Sequence, residues 1–239
     1  MTNQQQGTWH AGRTVALLGA AYLYGSLPLV YWLGQRARVD LRRAGSGNVG
    51  ATNLLQYGGA TGKALAAAGW LFDASKGAAP PAVARALGAP PAVAALAGAL
   101  GVAGQCWPIT LGFRGGRGIS AFVGAAALID PVAWAASLIP MIVGSGWRVA
   151  TNRRASTPAD GKPSRSRSVP LGCFIATIVF PLVCALRRTE DGWLAPLALS
   201  AVVALRRLTA ALPDDALAGP RKQPRALVYR LLYDRNTKD

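Results

Sequence analysis

"TVALLGAAYLYGSLPLVYWLG", residues 14–34, decides what kind of protein this is. It holds no charged residue, and about 20 apolar residues are what a helix needs to cross a bilayer. Comparable runs recur along the chain. The hydropathy pattern predicts spans at Thr14–Gly34, Lys63–Leu87, Ala92–Leu111, Gly118–Ile129, Pro131–Trp147, Val169–Leu186 and Trp193–Leu205. The fourth and seventh are short, and the second is interrupted by Asp73 and Lys76. Many spans carry Gly, Ala or Ser at close spacing, which suits tight helix packing in lipid. The expected fold class is all-α: a polytopic integral membrane helical bundle of about seven transmembrane helices.

Composition points the same way. The chain is 51% hydrophobic and 15% charged, against about 25% charged in a soluble domain. Its charge is one-sided, with 26 Lys+Arg against 10 Asp+Glu. Such an excess often marks a nucleic-acid binder. Here the basic residues lie between apolar runs without interleaved aromatics, so no nucleic-acid partner is expected. Cys106, Cys173 and Cys184 fit no zinc spacing and read as small buried hydrophobes. The single histidine, His10, lies in a polar tail, so neither a metal nor a histidine-based triad is expected in the membrane body. Residues 1–13 do not read as a signal peptide, because the apolar run after them continues as a full span.

Lys and Arg in the short loops set the sidedness. Loops 35–62, 112–117, 148–168 and 206–239 are rich in them; 88–91 reads "GAPP", and 187–192 is charge-balanced. The pattern predicts an amino terminus outside and a carboxyl terminus in the cytoplasm. It also divides the chain into a polar tail (1–13), a membrane-embedded domain (14–210) with a basic cytoplasmic loop at 148–168, and a basic tail (211–239). Within that tail, "RALVYRLLYDRN" (225–236) has the pattern of an amphipathic basic helix lying on the membrane.

Two cytoplasmic stretches are built to hold an anion. In "RRAGSGNVGATNLLQ" (42–56), Gly45, Gly47 and Gly50 free the backbone for unusual φ values and close approach. Their N–H groups can converge as a phosphate nest. Ser46, Asn48, Thr52 and Asn53 add donors, and Arg42 and Arg43 add charge. "GFRGGRG" (112–118) repeats the device with Arg114, Gly115, Gly116 and Arg117, ahead of a helix whose amino terminus favours anions. Neither matches the GxxxxGK[ST] P-loop. The bland alternative is a pair of glycine-rich turns. A third feature is "WLFDASKG" (70–77): Asp73 and Lys76 share a helix face and can pair, as a structural ion pair or as part of a site.

In order, GSGNVGATN (45–53), DASKG (73–77) and Gly104-Gln105…Pro108…FRGGRG (113–118) resemble the bacterial acyl-phosphate:glycerol-3-phosphate acyltransferases (PlsY-like). The resemblance is clear over residues 14–130 and faint beyond. It implies a multi-pass protein of the bacterial cytoplasmic (inner) membrane, with its active site facing the cytoplasm. It implies transfer of a fatty acyl group from acyl-phosphate to the 1-hydroxyl of glycerol 3-phosphate, giving lysophosphatidic acid and phosphate. The partners would be those two substrates and membrane lipids, with no organic cofactor. An acyl-phosphate is already activated, so positioning and charge stabilisation suffice. By the match, Ser46, Asn48 and Asn53 should contact phosphate, with Gly115, Gly116 and Arg117 as the other wall. Gly45, Gly47, Thr52, Gln56, Arg114 and Arg167 complete the expected substrate-binding set.

The sequence also departs from the family. Gln56 stands where an arginine is usual, and Gln105 where a histidine follows the glycine. Arg117 replaces a lysine, keeping charge but changing shape. Pro170 and Cys173 replace two serines, and the carboxyl-terminal His, Asn and Glu motif is not recognisable near Arg206-Arg207. These changes keep two other readings open: a non-catalytic relative that binds acyl-phosphate or phospholipid, and an anion transporter. No convincing inverted repeat supports the latter.

Overall fold

The computed structural model describes residues 9–44, 47–154, 168–188 and 193–209, with 227–228 and 231–232 of the tail. Within them the chain is helical: α1 (Ala11–Gly25), α2 (Leu29–Arg36), α3 (Ala51–Tyr57), α4 (Gly59–Ala86), α5 (Pro91–Cys106), a 3-10 turn (Ile109–Leu111), α6 (Ile119–Ile129), α7 (Pro131–Arg154), α8 (Ser168–Arg187) and α9 (Leu194–Thr209). The described residues contain no strand. Four segments are long and apolar enough to cross a bilayer: Ala11–Arg36, Pro91–Leu111, Pro131–Thr151 and Ser168–Arg187. α6 is apolar but has 11 residues.

The bundle is turned inside out relative to a soluble protein. Ile142, Trp147 and Leu186 are exposed on its periphery, where only lipid tails would welcome them. Inside, α4 packs against α5 and α6, α5 also against α1 and α9, and α7 against α8. Phe122 of α6 and Phe180 of α8 meet edge to face at 5.4 Å between ring centroids, within a buried cluster that includes Val102, Leu199 and Val203.

Small residues set how closely the helices approach. A Cβ on Gly77 of α4 would collide with the Ala121 carbonyl of α6, and one on Gly101 of α5 with the Lys76 carbonyl of α4. Lys76 lies four residues before Pro80, which has no N–H to return to it. The glycine of α5 therefore lies against the carbonyl that the proline leaves without its helical donor. Prolines 80 and 81 both lie inside α4 without ending it.

The first span departs from the sequence reading. Thr14–Gly34 reads as one helix, yet the chain divides into α1 and α2 around Ser26–Pro28. Pro28 cannot donate to the Tyr24 carbonyl; the Leu27 N–H bonds there at 3.2 Å, and helical bonding resumes from Trp32 to Pro28. The joint is fastened to its surroundings: the Thr110 hydroxyl donates to the Ser26 carbonyl at 2.5 Å, and the Tyr22 hydroxyl to the Trp107 carbonyl at 2.6 Å.

α9 also differs from expectation. The sequence ends the last span at Leu205 and gives Arg206 and Arg207 to the tail, but the helix runs to Thr209 and buries both arginines. Bond-forming geometry explains it, since each guanidinium is turned inward onto main-chain carbonyls.

α7 begins at a capped corner. The Asp130 carboxylate accepts from the N–H groups of Val132 at 2.8 Å and Ala133 at 2.9 Å, the arrangement that satisfies the donors at a helix start. Its second oxygen receives Arg187 Nε of α8 at 2.9 Å. Burial alone would raise the Asp130 carboxyl; the Ala133 N–H and the Arg187 guanidinium outweigh it and hold it below its ordinary value.

Candidate active site

The first glycine loop folds around one side chain. Asn53, on α3 and buried, donates its amide nitrogen to the carbonyls of Leu41 at 3.1 Å, Ala44 at 3.0 Å and Asn48 at 3.0 Å. The loop is thereby gathered onto the start of α3. Gly47 takes a left-handed φ of 67°, which a side chain would strain. Gly50 is extended, and the Asn48 amide lies over it. The sequence reading gave Asn53 a phosphate contact; the structure directs its amide nitrogen to the loop's own backbone instead. Asn48 is half-buried and Thr52 is exposed. Gly45, Ser46 and Arg167 lie outside the described residues, as do most of the 148–168 loop and the carboxyl-terminal tail.

Ahead of this loop, Arg42 is held in a fixed direction. It donates to both carboxylate oxygens of Asp40 at 3.0 Å and to the Tyr31 hydroxyl at 2.8 Å, and its guanidinium lies 4.7 Å from the centre of the Tyr31 ring. Its hydrogen bond holds the Asp40 carboxyl below the usual carboxylate range. Gln56, one turn beyond Asn53, is exposed. With its carboxamide oxygen facing α7, it accepts from both terminal nitrogens of Arg148 at 2.8 Å.

The second glycine loop is braced from two sides. The Gly116 N–H donates to the Gln105 carbonyl at 3.0 Å. Arg206, buried on α9, donates Nε to the Gly116 carbonyl at 2.9 Å and a terminal nitrogen to the Gly115 carbonyl at 2.8 Å. Arg206 is a residue that sequence reasoning missed: an arginine at the end of a span reads as a positive-inside charge. Its neighbour Arg207 reaches the Pro170 carbonyl at 2.9 Å and the Leu231 carbonyl at 2.8 Å, linking α8 and the tail to α9. Gly118 takes φ 78° at the start of α6. Arg114 is exposed and Arg117 half-buried.

The two loops meet. A Cβ on Gly116 would come within 2.9 Å of the Val49 carbonyl, so this contact needs glycine. Beneath them lies a cleft lined by Tyr31, Val49, Asp73, Lys76, Gln105, Gly115 and Gly116, with the Gly25–Pro28 joint at its side. Lys76 Nζ donates to Asp73 Oδ1 at 2.8 Å, and the two side chains are 4% and 2% exposed. The structure thus joins three stretches far apart in sequence: the first loop, the second loop and the Asp73–Lys76 pair. Lys76 is the cation beneath the two loops, and Asp73 offsets its charge. Among the described residues, no group of three or more His, Cys, Asp or Glu is placed to hold a metal.

The chain is similar to known proteins along most of its length. A family model described as glycerol-3-phosphate acyltransferase matches residues 15–211. A glycerol-3-phosphate acyltransferase of Rubrobacter xylanophilus is 42% identical over 117 residues, 49% of this chain and 57% of that protein. One from Dehalococcoides mccartyi, also 42% identical, is matched over 49% of its length. The chain therefore spans about half the length of these relatives. A glycerol-3-phosphate acyltransferase of Synechococcus sp. (strain CC9902) is 33% identical over 193 residues, 80% of this chain and 84% of that protein. The crystal structure of PlsY (YgiH), an integral membrane glycerol 3-phosphate acyltransferase in its glycerol 3-phosphate form, superposes with a TM-score of 0.66. It is 26% identical over 81% of this chain and 88% of that one. The family model spans both glycine loops and the helices beneath them, and the chain belongs to the glycerol-3-phosphate acyltransferase family.

Proposed function

We propose that this chain transfers a fatty acyl group from acyl-phosphate to the 1-hydroxyl of glycerol 3-phosphate, giving lysophosphatidic acid and inorganic phosphate. The observation that carries this reading is the cleft, where both glycine loops close over the Asp73–Lys76 pair. In the reaction the glycerol oxygen forms a bond to the acyl carbon. The acyl carbon–oxygen bond of the anhydride breaks, and the departing phosphate keeps the electron pair while the hydroxyl proton goes to phosphate. Ser46, Asn48 and Arg117 are the groups on the reacting phosphates. Gly45 and Thr52 add backbone and hydroxyl donors, Gly47, Gly115 and Gly116 let the loops approach the substrate closely, and Arg114 and Arg167 add charge at the rim. Asn53 is a positioning residue, since its amide nitrogen shapes the loop. Gln56 acts through Arg148, which it engages across α3 and α7.

The family resemblance implies a bacterial cytoplasmic membrane location with the site open to the cytoplasm, hydropathy implies about seven spans, and the loop charges support an amino terminus outside. On this reading residues 14–210 form the acyltransferase domain between the two tails. The test uses purified protein in lipid with palmitoyl phosphate and glycerol 3-phosphate, reading lysophosphatidic acid and released phosphate against Ser46→Ala. Product from the wild type alone supports the reaction. No product with either protein, where acyl-phosphate still binds, overturns it.

A further inference from the structure

Beyond α9 lies a stretch that acyl transfer leaves unused. The family model stops at residue 211, and "PRKQPRALVYRLLYDRN", residues 220–236, lies past it. It holds Arg221, Lys222, Arg225, Arg230 and Arg235 against a single acid, Asp234. A helical period puts Leu227, Val228, Leu231 and Leu232 on one face, with Arg225 and Arg230 off it. These four apolar residues are helical; Leu227 and Val228 are 48% and 55% exposed, and Leu231 and Leu232 are half-buried. One buried cation ties the stretch to the bundle. Arg207 of α9, 2% exposed, donates one terminal nitrogen to the Leu231 carbonyl at 2.8 Å and the other to the Pro170 carbonyl of α8 at 2.9 Å. Its guanidinium also lies 5.7 Å from the centre of the Phe174 ring. A guanidinium taken out of water needs such acceptors, and the tail supplies one of them. The residue before it, Arg206, reaches Gly115 and Gly116, so the anchor lies at the end of the bundle that carries the glycine loops.

We infer that this anchored stretch is a docking surface for an anionic lipid leaflet, with Leu227 and Val228 entering the acyl-chain boundary and the arginines beside them meeting negatively charged headgroups. An apolar face next to basic residues is the pattern that lies in the plane of a bilayer surface. The anchor supplies what so short a patch lacks. Held by Arg207 at the end of a membrane-embedded bundle, the patch meets the leaflet at high effective concentration, so weak contacts suffice. Charge then sets the lipid preference. Each Lys or Arg close to an anionic surface strengthens binding about fivefold, and salt screens that gain. A neutral leaflet rewards the two apolar side chains alone.

The experiment uses the full chain in nanodiscs of phosphatidylcholine alone, or of equal parts phosphatidylcholine and phosphatidylglycerol. Trypsin cleavage after Arg225 and Arg230 is followed by mass spectrometry at low and at high salt. In the wild type, phosphatidylglycerol should slow both cuts by roughly tenfold or more, and high salt should remove the difference. Leu227→Gln combined with Val228→Gln keeps every arginine and removes the apolar contact. In phosphatidylglycerol discs this variant should be cut about as fast as the wild type is in phosphatidylcholine. Both substituted side chains are exposed, so the bundle should keep its melting temperature. Wild-type cleavage at one rate in both discs overturns the inference; Arg207 and the bundle, or a partner other than lipid, then hold the stretch. So does a double variant that keeps the full protection, since the apolar face then takes no part. The readout needs no acyl transfer, so it stands or falls apart from the proposed reaction.

Discussion

Arg206→Met asks whether the second glycine loop is held from outside. Arg206 is 5% exposed, and its guanidinium donates to two successive carbonyls, of Gly116 at 2.9 Å and Gly115 at 2.8 Å. Hydrogen bonds to a charged group contribute about 1.5–3 kcal/mol each. Methionine fills most of the volume but donates to neither, leaving two carbonyls of a buried loop unsatisfied. Allowing for partial relaxation, the loss should be about 3 kcal/mol. If it is expressed at the site, that is roughly a 100-fold fall in kcat/KM. If it is expressed globally, it is a drop of roughly 6–12 °C in Tm for a chain of this size. Arg206→Lys places charge but not the fork that reaches both carbonyls, and should retain about half of the effect. The assay is acyl-phosphate-dependent turnover in lipid alongside thermal unfolding in detergent. An Arg206→Met protein with unchanged kcat/KM and Tm would refute the claim that α9 braces the loop.

Three further outcomes are expected. Asn53→Asp should be worse than Asn53→Ala in both turnover and Tm, because an oxygen would replace the nitrogen that faces the Leu41, Ala44 and Asn48 carbonyls; equal effects would mean that the loop does not depend on this donor. Gly77→Ala should lower Tm by an amount equivalent to about 1–3 kcal/mol, the usual cost of overpacking, since its methyl collides with the Ala121 carbonyl; an unchanged Tm would show that α4 and α6 can separate freely. The Asp130 carboxyl is held below its ordinary value although burial opposes this. Its contribution is therefore complete above about pH 4 and is lost as pH falls through its lowered folded value. A Tm profile from pH 7 to pH 3 should fall more steeply for the wild type than for Asp130→Asn, and parallel profiles would remove the corner from the account of stability.

Much of the site was legible in the sequence, because its grammar is local. Glycines spaced through 45–50 and 112–118 mark backbone built for close approach, and Gly116 does lie against the Val49 carbonyl; Asp73 and Lys76 at i,i+3 announce a pair, and they form one. What the sequence hides is direction. Hydropathy cannot see the joint at Ser26–Pro28, because Leu, Pro and Ser there leave the run uncharged. A terminal arginine looks the same whether it points to lipid headgroups or, as Arg206 does, back onto a loop. Asn53 read as a ligand because its neighbours did; only the fold shows its nitrogen turned to three carbonyls. The match between Gln56 and Arg148 joins residues on α3 and α7 that no motif spacing connects.

The walls of the cleft are close-packed on both sides. On one, α4 and α5 touch where Gly101 lies against the Lys76 carbonyl. On the other, α1 and α5 touch where Gly25 lies against the Gly101 carbonyl and Gly104 against the Tyr22 carbonyl, and side-chain hydroxyls moor the joint, from Thr110 to Ser26 and from Tyr22 to Trp107. A helix sliding along either face would run into main chain, so a single thread of glycines through α5 sets the width of the space from both directions.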